Sequence, residues 1–285
     1  MLTLHEIGVS PAYYISRFTS GFTPEDVADG LRDLPRAGFK GFQLEVFHRD
    51  HLHIWRAQGA ETIRKRSVNL GLRASQFVAH FMLQDFADPQ RLVSNEAIEH
   101  MKTVLDIVNH FDECRVVTVP LPAFECRTPS FVGDYKDLFE RCAAKVSRLL
   151  AMVEDAGRRM ALEILPGAIV GGIDGFLRLC EHLSSDTLGF NFDTGHAWAC
   201  KENLYLIPAK IGPRLLGTHL CDNFGNENLS LRPGAGSIDW LPLLTGLKNC
   251  GYTGPWDIEI ICKPEDAEIE YGSGRNFIEN LLNQS

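Results

Sequence analysis

Residues 160–193 read MALEILPGAIVGGIDGFLRLCEHLSSDTLGFNFD. The stretch opens on an apolar run, Met160–Leu165, and closes near a second, Leu188–Phe192, each short enough for a buried strand. Between them Ile173–Leu183 spaces its apolar residues at helical period. Strand, helix, strand is the repeating unit of a parallel sheet. The same alternation continues in both directions. Upstream strands are expected at Ile7–Tyr13, Gly41–Phe47, Leu72–Ala79 and Arg115–Val119, and downstream ones at Leu215–Leu220 and Trp256–Ile261. Helical period marks Pro24–Ala37, Ile54–Leu70, Ser94–Phe111, Asp134–Ala156, Ile238–Cys250 and Asn276–Leu282. Thr23-Pro-Glu-Asp reads as a capped helix start, and Gly38 and Gly157 as left-handed helix ends. Eight strand–helix units predict an α/β fold, a (β/α)8 TIM barrel, as a single domain over residues 1–285. No glycine-rich dinucleotide fingerprint follows the first strand, which weighs against an open Rossmann sheet.

Bulk properties narrow the partners. The chain is 45% hydrophobic and 23% charged with a formal net charge of −9, which argues against nucleic acid as the main partner. No apolar stretch approaches the ~20 residues of a membrane span, and the N-terminus has no basic-then-apolar leader. Eight cysteines, none in Cys-x-x-Cys spacing, point to a reduced cytoplasmic protein. Cys142 and Cys180 fall inside apolar helical patterns and read as small core residues.

Chemistry in such a barrel gathers at the C-terminal ends of the strands. Glu163, Asp193, His219 and Glu259 all fall there, on strands five to eight. Three carboxylates converging from separate strands would repel one another, and a divalent cation removes that conflict. Three oxygen donors and one nitrogen suit manganese first, with magnesium, cobalt or zinc as alternatives. A single strand-end acid is more often the partner of a lysine or arginine, but few basic residues lie at these strand ends, Arg232 and Lys263 being nearest in sequence. Glu45 and His80 occupy equivalent places on earlier strands, and His196 follows Asp193 by one helical turn. These three are expected to contact substrate. Trp198 and Phe47 are aromatic candidates for a sugar face, a role that core packing fills equally often.

The ordered set Leu162-Glu-Ile-Leu-Pro, Asn191-Phe-Asp-Thr-Gly-His196, Thr218-His-Leu-Cys-Asp-Asn223, Arg232-Pro-Gly-Ala-Gly-Ser-Ile-Asp-Trp240 and Gly251-Tyr-Thr-Gly-Pro-Trp-Asp-Ile-Glu259 resembles the xylose isomerase-like barrel superfamily, in its sugar-phosphate isomerase/epimerase and apurinic endonuclease branch. The first half matches loosely, through Ala37-Gly-Phe-Lys-Gly-Phe-Gln-Leu-Glu45. The resemblance implies that Glu163, Asp193, His219 and Glu259 ligate one divalent metal, with Glu163 and Glu259 also acting as an acid/base pair. The implied reaction is metal-dependent isomerisation or epimerisation of a sugar, by proton abstraction beside a carbonyl through a metal-held enediolate. A homodimer or homotetramer is implied too. Asn223 and Arg232 are added as substrate contacts from the loop after strand seven.

Departures from the family pattern refine this. Asn228-Leu-Ser230 stands where apurinic endonucleases carry extra zinc ligands, so DNA repair is disfavoured. The arginine that ketose 3-epimerases place soon after the strand-seven histidine is missing, which keeps a dehydratase acting on a keto-polyol as the alternative. A non-catalytic sugar-binding barrel is a third reading. No phosphate-binding glycine loop is visible near strands seven and eight, so a non-phosphorylated substrate is favoured.

Overall fold

Eight short parallel strands carry the site: β1 (Ile7–Val9), β2 (Gly41–Glu45), β3 (Arg73–Val78), β4 (Val116–Leu121), β5 (Arg159–Ile164), β6 (Gly189–Asp193), β7 (Leu215–His219) and β8 (Trp256–Ile258). The structure, a computed structural model, describes residues 6–125 and 134–284; Cys126 and the N-terminal Met1–His5 lie outside them. Strand order runs β7-β6-β5-β4-β3-β2-β1-β8. A parallel bridge between Leu220 and Ile258, with Leu220 N–H on Asp257 O at 2.8 Å, brings β7 to β8 and closes the ring. The predicted (β/α)8 TIM barrel is therefore the fold.

Helices cover the outside. Thr23 caps Pro24–Gly30, and Asp26 bonds back to the Thr23 N–H at 2.8 Å, a reciprocal capping box. Gly38 (φ 83°) and Gly157 (φ 70°) take the left-handed conformation expected of them. Leu, Val, Ile and Phe fill the space between sheet and helices. Cys142 and Cys180 lie buried within it, and all seven described cysteines are free thiols. Among the described residues no helix is long and apolar enough to cross a membrane.

Two element boundaries differ from expectation in ways that matter here. The first apolar run is strand only to Val9; a helix, Ala12–Phe18, takes over after Pro11, with the Ser10 hydroxyl accepting the Ala12 N–H at 3.2 Å. Proline favours such a helix start and lacks the N–H a strand needs. The last helix begins at Ala267, well before Asn276. Its Gly272 and Gly274 weaken the helical signal, yet Gly274 lets Ile260 and Arg232 pack close. Beyond β6 a short helix, Thr194–Ala199, carries His196 one turn after Asp193.

The barrel interior is polar well below its mouth. Side chains two apart on a strand face the same way, so the residue two before each strand-end group shares its direction. Gln76 bridges Asn191 (2.9 Å) and Thr118 (2.7 Å), and a side chain on Gly217 would collide with Asn191 and Gln76. Gln43 and Ser75 both donate to Asp257, each at 2.8 Å. Val116, Ala161 and Leu216 form a small separate apolar cluster.

Candidate functional site

Four strand-end side chains converge at the barrel mouth. His219 Nδ1 lies 2.9 Å from Glu163 Oε1, 3.1 Å from Glu259 Oε2 and 3.9 Å from Asp193 Oδ2. Oxygen and nitrogen atoms of Glu163, Asp193 and His219 all fall within 4.8 Å of one another. One imidazole nitrogen thus faces three carboxylates.

Each is held in place locally. Asp193 caps the helix Thr194–Ala199, its Oδ1 accepting the His196 N–H at 2.7 Å, which leaves Oδ2 toward the cluster. Glu259 lies just past β8, where Ser16 and Tyr271 take over from the ladder: the Tyr271 hydroxyl accepts Ile260 N–H (3.1 Å) and donates to Ile260 O (2.9 Å), and Ser16 donates to the same carbonyl at 2.9 Å. His219 Nε2 faces Gln43 Oε1 at 2.8 Å. Because the Gln43 amide N–H₂ donates to Asp257, its oxygen must face the histidine, so Nε2 keeps its proton and Nδ1, once its own proton leaves, offers its lone pair to a cation. Gln43→Leu is expected to weaken divalent-cation binding about 10–100-fold with the barrel still folded; calorimetric titration beside circular dichroism checks this, and unchanged affinity would refute the assignment.

Burial and mutual repulsion set the ionisation. Burial pushes the Asp193 carboxyl up to about 7, helped by the Glu163 charge. Glu259 also rises to about 7, through burial opposed by His219 and reinforced by its acidic neighbours. For Glu163 burial pushes the same way, but attraction to His219 wins and pulls it down to about 2. Burial works against charge on His219 too, and Glu163 and Glu259 nevertheless raise it well above its ordinary value. In the ion-free chain, protons therefore do the neutralising that a divalent cation would do.

The donor set fits such a cation. Asp193 Oδ2 is buried without a hydrogen-bond partner, as is Glu45 Oε2. Among the described residues that line the cavity above the cluster, none is a lysine or arginine. The residues that would hold the ion are Glu163, Asp193, His219 and Glu259. Above pH 6.5, where unfolded histidine has lost its proton, the folded ion-free chain still binds protons on His219 and, to about 7, on Asp193 and Glu259. Its stability should fall as pH rises from 6.5 to about 8; Glu163 acts oppositely only below its ordinary 4.5, and the lowered His80 and His196 only while unfolded histidine is still losing its proton. Cation binding expels those protons, so the rise in Tm on adding manganese should grow over the same interval. Thermal melts across pH, with and without manganese, check this; an increment that shrinks with pH would contradict it.

The cavity measures about 180 Å³, and Glu45, His80 and His196 line it with Glu163, His219 and Glu259. Burial drops the His80 imidazole to about 4, leaving it neutral, and lowers His196 as well. His80 Nδ1 stands 3.6 Å from Glu45, whose carboxyl burial and the neighbouring Glu259 push well up. Phe47 stacks on the His80 ring at 4.1 Å, and Trp198 Nε1 donates to Ser237 at 3.0 Å. Asn223 and Arg232 do not line this cavity. The Asn223 amide spends its groups on Gly195 O (2.9 Å) and Gly225 N–H (2.6 Å), and Arg232 pairs with Glu270 at 3.2 Å. Asp222 organises the same loop, accepting from Gly234 N–H, Ile238 N–H and the Trp240 indole.

The sequence profile described as a xylose isomerase-like TIM barrel matches residues 31–281. The chain belongs to the xylose isomerase-like TIM barrel family. Among solved structures of similar shape, the IolI protein with a bound zinc atom superposes with a TM-score of 0.77 at 16% identity, over 98% of both chains. The 3-keto-D-glucoside 4-epimerase YcjR from E. coli gives 0.75 at 17% identity, over 97% of this chain and 99% of that one. An uncharacterized protein of Methanocaldococcus jannaschii is 27% identical over 137 residues, 46% of this chain and 47% of that protein. The matched stretches span under half the length of the curated relatives.

Within this family barrel, sequence reading does not single out Gln43, Asp257 or Cys221. The signal for the first two was a period-2 one: each is a polar residue two positions before a strand-end acid, Glu45 or Glu259, on an otherwise apolar strand.

Proposed function

We propose that this chain is a metal-dependent sugar isomerase or epimerase that moves a proton on a carbon beside a carbonyl. One observation carries the reading: Glu163, on β5, and Glu259, just past β8, reach the same cavity, each about 3 Å from His219 Nδ1 (2.9 and 3.1 Å). When bound, the divalent ion polarises the substrate's carbonyl and hydroxyl oxygens and stabilises negative charge that develops there. Glu163 and Glu259 are the carboxylates placed to take the proton from carbon and to return one. Neutral His80 and His196 offer hydrogen bonds to substrate hydroxyls, and Glu45 supports His80. Ile15, Leu83, Pro120, Leu165 and Ile261 supply apolar parts of the cavity lining. The cavity is below the ~300–1,000 Å³ of drug-sized sites, which suits a monosaccharide or keto-sugar. The structural neighbour named as a 3-keto-D-glucoside 4-epimerase supports the same class, and the zinc-bound IolI supports a divalent ion. Manganese leads as the ion on ligand type.

The test is proton exchange in deuterated water, followed by NMR over ketoses, keto-sugar acids and inososes with manganese added. Manganese-dependent deuterium uptake at carbon, with an epimer or isomer as product, supports the proposal. Uptake with an unsaturated product would assign a dehydratase on the same site. No uptake from any of them would overturn the proton-transfer reading.

A further inference from the structure

Cys221 follows His219 by two residues, just past the end of β7, so strand alternation turns its thiol to the side that carries the imidazole. The Sγ is fully buried, 3.5 Å from Asp193 Oδ1 and 3.7 Å from Asn228 Oδ1. Its sulfur, a carboxylate oxygen of Asp193 and one of Glu259 all lie within 4.8 Å of one another. That spacing matches the one shared by Glu163, Asp193 and His219, and Asp193 belongs to both groups. A second observation points to a cation at this junction: Asp193 Oδ2, on a side chain only 2% exposed, has no hydrogen-bond partner.

The backbone seats the sulfur firmly. The Thr194 hydroxyl accepts the Cys221 N–H at 3.0 Å and donates to the Cys221 carbonyl at 2.6 Å, fixing the residue at both main-chain groups. Any side chain on Gly195 would collide with the Cys221 sulfur and with Asn228 Oδ1. The glycine is thus what admits a sulfur atom beside Asp193.

Resting on the metal centre proposed above, we infer that Cys221 gives that centre a sulfur donor, which tilts it toward thiophilic divalent ions such as zinc and cobalt. Oxygen and imidazole ligands alone accept manganese and magnesium readily, whereas a thiolate selects zinc and its softer relatives. On coordination the thiol proton passes to solvent and the sulfur lone pair goes to the cation, with no change of oxidation state.

The experiment is titration of the ion-free full-length protein with cobalt(II), read by absorption. Visible ligand-field bands report cobalt in the centre whatever its ligands; a near-ultraviolet sulfur-to-cobalt charge-transfer band reports the thiolate. The wild type should show both. Cys221→Ser and Cys221→Ala should keep the visible bands and lose the charge-transfer band. In a competition assay their preference for zinc over manganese should fall by about tenfold or more, within the range that changes around a metal produce. Visible bands without charge transfer in the wild type would leave the centre standing and overturn the thiolate. A charge-transfer band that survives both substitutions would overturn it too. Absence of every band would remove the centre itself, and the inference with it.

Discussion

Glu163→Gln lowers substrate deuterium exchange by at least about a thousandfold, since it removes both a general base and a charged metal ligand. The glutamine amide keeps the shape but has neither the charge to hold a cation nor the basicity to take a proton. Its partner, His219 Nδ1, loses a contact at 2.9 Å, and the attraction that raises the imidazole weakens with it. Glu259→Gln should cost a similar factor in exchange. Parallel measurement of bound metal separates the two duties. Retained metal with lost exchange assigns proton transfer; loss of both assigns ligation. Near-wild-type exchange in both variants would refute the acid/base pair.

Asp193→Asn is expected to act in opposite directions on stability and on binding. Its amide oxygen can still accept the His196 N–H, so the cap of the following helix survives. The buried charge that burial and Glu163 hold up to about 7 is gone. Near pH 8 the ion-free variant should therefore melt higher than the ion-free wild type, while its divalent-cation affinity drops about 100-fold or more, past the effect of losing a supporting contact. Melting curves of both proteins with chelator and with manganese test the pair of claims. A variant that melts lower without ion and binds as tightly would show that Asp193 is a structural cap alone. Such a trade is expected where a fold holds like charges together for function.

Most of the barrel was legible because short apolar runs and helical segments alternate along residues 41–261. The misread boundaries have specific causes. Apolar Ala12, Tyr13 and Tyr14 fit a strand as well as a buried helix, and only the context of Pro11 and Ser10 decides. The glycines at 272 and 274 hide the start of the last helix, whose stability comes from packing on Ile260. At the site, strand-end acids and the histidine were readable because strand alternation fixes where they point. Glu45 and His80 were readable by the same rule, and His196 by its place one helical turn after Asp193; all three line the cavity. Loop residues escaped it: nothing in the sequence of residues 222–240 says that Asp222 ties the loop together while Asn223 serves its own backbone. The support beneath His219 needs Gln43 and Asp257 to meet across the barrel, a pairing 214 residues apart in sequence.

Calorimetric titration of the ion-free protein with manganese, repeated on Asp193→Asn and on Glu163→Gln, tests the claim that these strand-end residues form one metal centre. One ion per chain in the wild type, with affinity lost by about 100-fold or more in each variant, is the expected result. Binding that both variants leave unchanged, or no binding by the wild type, would contradict it.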